Sequence, residues 1–313
     1  MLKSGSTERH PFTSLLLLLL LMLAGAFVFT VIAFIAVTSI YGIKAIGDLS
    51  QGETSSLAAL KLLQIFISTG MFVVPAVFFA RMESSNWMDY LKLQRFPIIL
   101  IFLTILLMFS ALPMLDLSSE LNKNMKFPPF LKEVEEWMLL KEQQMAQMTR
   151  QLLQMDSADV LLVNLFMLAV IPALGEEFIF RGCLQKILAR WTGNKHAAIW
   201  ITAIIFSAIH IQFYGFIPRM LLGALFGYLL IWSGSLWIPI LAHFMNNSIA
   251  VITAYVYQQQ GVSLDKLDQP DPLPSSVYVI SVFVCSMLLW VFYKAALKYG
   301  VDNINRTDGS RLD

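Results

Sequence analysis

Between positions 176 and 247 the sequence places Glu176, Glu177, Arg181, His210 and His243, with Asn247 beside the last, among long apolar stretches. Each acid or base in hydrocarbon costs about 2.5–3.5 kcal/mol on insertion scales, so an ionisable residue within a span is a functional-site hypothesis by default. A carboxylate can serve as a general base, and imidazole and amide groups can donate N–H bonds to developing negative charge. The same set could line a proton or ion pathway. The clustering is the signal, because a lone buried histidine or Glu–Arg pair is usually structural.

Spacing separates the members. Glu177 and Arg181 lie four apart on one helix face, with the acid on the favourable N-terminal side, and read as a supporting ion pair. Glu176 is turned from Glu177 by about 100° and has no local partner. Phe206 with His210, and His243 with Asn247, are also four apart, so each pair presents two side chains from one face. A polar connection at Trp191–Lys195 turns one helix into the next. Glu176 precedes Trp191 by 15 residues and His210 follows Lys195 by 15. At ~1.5 Å per residue both lie about 22 Å from the turn and can meet.

The elements that must position these residues are membrane helices. The 313 residues are 57% apolar and 14% charged, with mean hydropathy +0.68, well outside the range of soluble domains. Apolar windows able to cross ~30 Å of hydrocarbon fall at 14–43, 62–80, 97–115, 158–180, 196–214, 217–233, 235–256 and 276–297. The expectation is an all-α polytopic bundle of about eight transmembrane helices, the sixth and seventh forming a hairpin through Ser233-Gly234-Ser235. Three units follow: three spans and an extramembrane segment (1–157), a core (158–256), and a loop, last span and polar tail (257–313). The first window outruns a signal peptide, so it reads as a retained span despite the small residues Ala24-Gly25-Ala26. The tail from Asp302 onward reads as disordered.

Basic residues concentrate on one set of connections, including Lys3, Arg9, Arg81, Lys92, Arg95, Lys186, Arg190, Lys195, Lys294 and Lys298. That bias puts both termini in the cytoplasm, with 116–157 and 257–275 opposite. Leu131, Val134, Met138, Met145, Met148 and Leu152 recur at helical spacing, which predicts an amphipathic helix on the bilayer or the bundle. A lid over a substrate entrance is the second reading of that helix. A net charge of +1 gives no argument for nucleic acid. Cys183 and Cys285 form neither a disulfide framework nor a metal spacing.

Glu-Glu-x-x-x-Arg at 176–181, Phe-x-x-x-His at 206–210 and His-x-x-x-Asn at 243–247, in this order on successive helices, resemble the CPBP family. These are intramembrane endopeptidases related to the type II CAAX prenyl proteases and also called the Abi family. The likeness covers about 158–256, and no motif position departs from the pattern. It implies that Glu176 activates water with the help of His210, while His243 and Asn247 stabilise the oxyanion; Glu177, Arg181 and Phe206 would support the site. The implied partners are the bilayer and a protein or peptide substrate, in a bacterial cytoplasmic membrane.

Family members are commonly labelled metalloproteases, and Glu176, His210 and His243 could together hold a divalent metal such as zinc. The histidines are on separate helices without a His-Glu-x-x-His core, however, so the expected mechanism requires no cofactor. Two rival functions use the same residues: a proton-coupled transporter, and a catalytically silent immunity or scaffold protein. The intact motif set disfavours the scaffold, and the lack of repeated halves disfavours the transporter.

Overall fold

Apolar chain in hydrocarbon must satisfy its own N–H and C=O groups, and a helix does so within one segment. The computed structural model describes residues 9–51, 57–125, 127–268 and 272–299. Its principal helices are α1 (Pro11–Tyr41), α2 (Leu57–Glu83), α3 (Ile98–Lys123), α4 (Lys132–Leu152), α5 (Ala158–Thr192), α6 (Lys195–Ala208), α7 (Phe216–Ser233), α8 (Trp237–Gln259) and α9 (Ser275–Tyr299). Among the described residues seven helices are long and apolar enough to span a bilayer; α4 is polar and α6 is short. The protein is an all-α polytopic membrane protein. The expected polar tail from Asp302, and Lys3, lie outside the described residues.

Three of the expected windows end elsewhere; the third, expected over 97–115, continues as α3 to Lys123. The fourth, expected over 158–180, continues as α5 to Thr192. Its added turns carry Lys186 and Arg190, which find partners inside the bundle: Lys186 Nζ sits 4.3 Å from the centre of the Tyr90 ring, and Arg190 Nη2 donates to Ser14 Oγ at 3.2 Å. The fifth window, expected over 196–214, yields only the 14 residues of α6. At ~1.5 Å per residue α6 covers about 21 Å, short of the ~30 Å of hydrocarbon. The chain then turns within the bundle through residues 209–215.

The turn Trp191–Lys195 forms as expected. Gly193 takes φ 64°, the left-handed value that ends a helix, and the Asn194 side chain accepts from His196 N–H at 2.8 Å to start the next. Gly234 at φ 71° joins α7 to α8 in the same way.

Contacts between connections sort them onto two faces. On one, Arg9 pairs with Glu83 at 3.0 Å, and Leu236 N–H and Ser235 Oγ donate to the carbonyls of Lys92 and Gln94 at 2.8 and 2.7 Å. On the other, Lys61 Nζ donates to Gln154 O at 2.8 Å, and Gln258 Nε2 to Leu153 O at 2.9 Å. The C-terminal end of α4 is therefore fixed to the bundle. Of the apolar positions predicted for its buried face, Met138 and Leu152 are buried, whereas Val134 and Met148 are exposed.

One packed core joins α1, α2 and α5 with residues of α6, α7 and α8, and a second joins α3, α7, α8 and α9. The close approach of α1 to α2 depends on glycine, since a Cβ on Gly25 would stand 2.1 Å from Gly70 O. Phe206 belongs to the first core and Phe226 to the second, and the polar cluster lies between them.

Candidate active site

The acids of α5 stand between two π-helical stretches, Phe166–Val170 and Phe178–Leu184. The first ends two residues before Pro172, whose ring forbids the ordinary hydrogen bond to the carbonyl four residues back. Such stretches change the rotation per residue, and they are frequent at functional sites.

Glu177 and Arg181 are fully buried and paired at 2.7 Å, as their spacing predicts. Arg181 Nη2 also donates to Gly223 O at 3.0 Å, and its guanidinium lies 4.6 Å from the centre of the Phe206 ring and 5.3 Å from that of Phe226. His243 of α8 adds a third member, with Nδ1 2.9 Å from Glu177 Oε1. A carboxylate accepts, so Nδ1–H is the donor and Nε2 is left facing the other way.

It faces Glu176. Glu176 Oε2 lies 3.8 Å from His243 Nε2 and 4.0 Å from His210 Nε2, buried and without a hydrogen-bond partner among the described residues. The equal-depth expectation for Glu176 and His210 is met, although His210 stands past the end of α6. Its Nδ1–H donates to Phe206 O at 2.7 Å, which leaves a lone pair on Nε2 when the ring is neutral. The next residue, Ile211, has φ 54°, a costly conformation for a β-branched side chain. Asn122 Nδ2 donates to Phe213 O at 3.0 Å, and Asn122 Oδ1 accepts from Ile217 N–H at 2.7 Å. Bonds of this kind make irregular backbone tolerable at membrane depth.

Asn247 is placed differently from what its spacing suggests. Its Nδ2 donates to Leu168 O at 3.0 Å and its Oδ1 accepts from Asn246 at 3.2 Å, so its contacts run to the first π-helical stretch and to its chain neighbour. Phe206 packs edge-on against His210 and His243, with ring centres 5.0 and 6.0 Å away. Phe226, which stacks on His243 at 5.3 Å, is not legible from sequence, because an aromatic residue in an apolar helix carries no signal. Arg219 also lies near the cluster, and its only signal in sequence is a charge inside the 217–233 apolar window.

The donor set can be compared with a metal site. Both Nδ1 atoms are engaged outward, as histidine ligands require. A tetrahedral zinc, with ligands at about 2.0–2.1 Å, needs its donor atoms roughly 3.3 Å apart, closer than the 3.8 and 4.0 Å found here. Among the described residues no group of three or more His, Cys, Asp or Glu side chains is arranged to hold a metal ion. The donors as placed do not fit one.

Residues 158–249, which hold all of these side chains but those of α3, match the profile of the family "Type II CAAX prenyl endopeptidase Rce1-like". The chain carries an Rce1-like domain. YpbD of Bacillus subtilis (strain 168), an uncharacterized protein, is 29% identical over 90 residues, which are 28% of this chain and 43% of YpbD. The chain thus matches less than half the length of that relative. No solved structure matches it. The Rce1-like domain belongs to a protease family and here lies within a membrane protein, as the motif resemblance implied.

Proposed function

We propose that the protein is an intramembrane endopeptidase that hydrolyses a peptide bond of a membrane-associated protein or peptide, with Glu176 as the base that activates water. The observation that carries this reading is the convergence of Glu176 Oε2 with the Nε2 atoms of His210 and His243, brought from α5, α8 and the turn after α6 into one buried place.

The chemistry follows from the hydrogen bonds. Phe206 O fixes the Nδ1–H of His210, so His210 Nε2 and Glu176 Oε2 are both acceptors. A water between them donates one proton to each and turns an oxygen lone pair toward the scissile carbonyl. As the C–O bond forms, Glu176 takes a proton from the water; as the C–N bond breaks, it passes that proton to the leaving amine. Glu177 holds the Nδ1 of His243 at 2.9 Å and so turns Nε2 toward Glu176 and the place where the oxyanion develops, the role the motif resemblance implies for this ring. Asn247 retains one amide N–H beyond the one held by Leu168, and we assign that donor to the oxyanion because the motif resemblance implies it. Every proton stays on protein groups, water and substrate, so no metal is required.

In membranes of cells with and without the protein, one altered peptide terminus identifies the substrate. With that substrate, Glu176→Gln at unchanged fold lowers turnover about 10²–10⁴-fold. Turnover by Glu176→Gln equal to wild type defeats the reading. Activity that survives exhaustive chelation supports the metal-free route; loss on chelation and return with zinc would reassign His210, His243 and Glu176 as ligands.

A further inference from the structure

The basic face of the bundle gathers cations that the hydrolytic scheme does not use. Lys186 lies on α5, ten residues beyond Glu176 and six before the helix ends at Thr192. At ~1.5 Å per residue it stands about 15 Å from the catalytic acid and about 9 Å from the helix end, near the boundary between headgroups and hydrocarbon. Lys186 is half-buried and forms no ion pair among the described residues; its ammonium is set over the Tyr90 ring, 4.3 Å from the centre. Lys92 and Arg190, also half-buried, both lie within electrostatic reach of it.

The fold holds each of these cations where it is. Leu91 is fully buried in the first packed core, and Lys92 O accepts from Leu236 N–H at 2.8 Å, so the connection from α2 to α3 is fixed to the bundle. Lys92 takes φ 58°, a left-handed conformation that glycine adopts without steric cost and other residues seldom do. Backbone strain of this kind clusters at ligand sites. Arg190 is oriented by Ser14 Oγ at 3.2 Å and by Glu83 Oε2 at 3.9 Å. Glu83 is shared with Arg9, at 3.0 Å, and Asp89, the other acid of this connection, accepts from the Asn86 amide. Lys92, Lys186 and Arg190 therefore converge beside a carboxylate that Arg9 already holds. Like charges in a partly buried place repel, and an anion among them turns that repulsion into attraction. Aromatic rings frame the place as they do at a membrane interface: Trp87 lies 5.8 Å from the Arg81 guanidinium, and Trp191 meets Phe12 edge-on at 6.3 Å.

We propose that Lys186, Lys92 and Arg190 bind the phosphate of an anionic phospholipid, at the end of α5 and the connection that joins α2 to α3. Guanidinium and ammonium groups are strong partners of phosphate, and basic pockets between spans take such headgroups. Free phosphate offers similar oxygens, but the bilayer holds the lipid at the depth where Lys186 lies. The site is separate from the catalytic cluster, so the proposal does not rest on the endopeptidase reading, and it holds for whichever leaflet this face meets.

The test uses the full chain, stripped of lipid in detergent and titrated with phosphatidylglycerol, phosphatidylcholine or inorganic phosphate. Native mass spectrometry reads bound lipid, and the melting temperature is taken on the same preparations. Phosphatidylglycerol should bind about 10- to 100-fold tighter than phosphatidylcholine and raise the melting temperature further. Lys186→Met should weaken phosphatidylglycerol about 5-fold and leave phosphatidylcholine unchanged, whereas Lys186→Arg keeps the preference. Lys92→Asn retains a residue that tolerates the left-handed backbone, so it should melt like wild type in phosphatidylcholine and still lose about 5-fold for phosphatidylglycerol. Arg95→Gln and Lys195→Gln, which remove exposed charges from the same face, should leave the preference as it is. A preference that falls as much in Arg95→Gln and Lys195→Gln as in Lys186→Met means diffuse attraction by the whole face and overturns the proposal. Equal binding of the two lipids by wild type, or a preference untouched in both Lys186→Met and Lys92→Asn, overturns it too. Inorganic phosphate that raises the melting temperature as phosphatidylglycerol does, through the same two lysines, would assign the site to free phosphate and overturn the lipid.

Discussion

At the scale of single residues, adjacent acids have different neighbours and should fail differently. Glu177 holds both Arg181 and His243, at 2.7 and 2.9 Å, with no exposed surface. Glu177→Gln leaves a buried guanidinium uncompensated, which should cost about 3–5 kcal/mol and show as a lower melting temperature and yield. Glu176→Gln, which breaks no hydrogen bond within the protein, should melt like wild type. Spacing alone suggests that exchanging the charges, Glu177→Arg with Arg181→Glu, restores part of the stability. The contact with His243 changes that expectation. The exchange would set a guanidinium against the Nδ1–H of His243, so the double variant should be no more stable than Glu177→Gln. Recovery to near the wild-type melting temperature would show that His243 does not depend on Glu177.

At the scale of elements, the short α6 decides where the chemistry lies. A full-length span would carry residues 209–215 out of the membrane; ending at Ala208 keeps His210 and the turn that follows it inside the bundle. Asn122 of α3 anchors that turn through Phe213 O and Ile217 N–H. Asn122→Ala leaves both groups unpaired, at about 1–3 kcal/mol for each buried group that finds no water. Amide exchange across 209–217 should accelerate, and turnover should fall although every catalytic group is present. Unchanged exchange there would mean that Phe216 O, which accepts from Ser207 Oγ at 2.7 Å, holds the turn without Asn122. The π-helical stretches act at the same scale, because they reset the rotation that separates Glu176 from its neighbours.

At the scale of the whole molecule, the loops fall on two faces. The basic residues Arg9, Arg81, Lys92, Arg95, Lys186, Arg190, Lys195, Lys294 and Lys298 belong to one of them, so that face is expected in the cytoplasm. The contacts of α4 with the 258–265 region put Gln143 and Gln259 on the other face. Thiols introduced at both positions should react with an impermeant reagent on intact cells. Reaction only after permeabilisation would invert the orientation, while leaving the site as it is. Opposite results at Gln143 and Gln259 would contradict the fold itself.

Composition and periodicity were enough for the membrane-helix class, because hydrocarbon permits so few backbone solutions. The Glu177–Arg181 pair was legible for a similar reason: helix geometry makes residues four apart neighbours without reference to the rest of the chain. The order of the motifs carried Glu176, His210 and His243 as a set. Tertiary structure decided what depends on distance between elements. It ended the fifth window at Ala208, since a membrane-depth turn is tolerated only where other helices supply its hydrogen-bond partners, as Asn122 does from α3. It joined His243 to Glu177 and directed Asn247 toward Leu168, because rotation about a helix axis is set by packing and by π-helical stretches that a count of residues does not register. It also seated the guanidinium of Arg219 on Gln212 and Gly215, in the turn that follows His210.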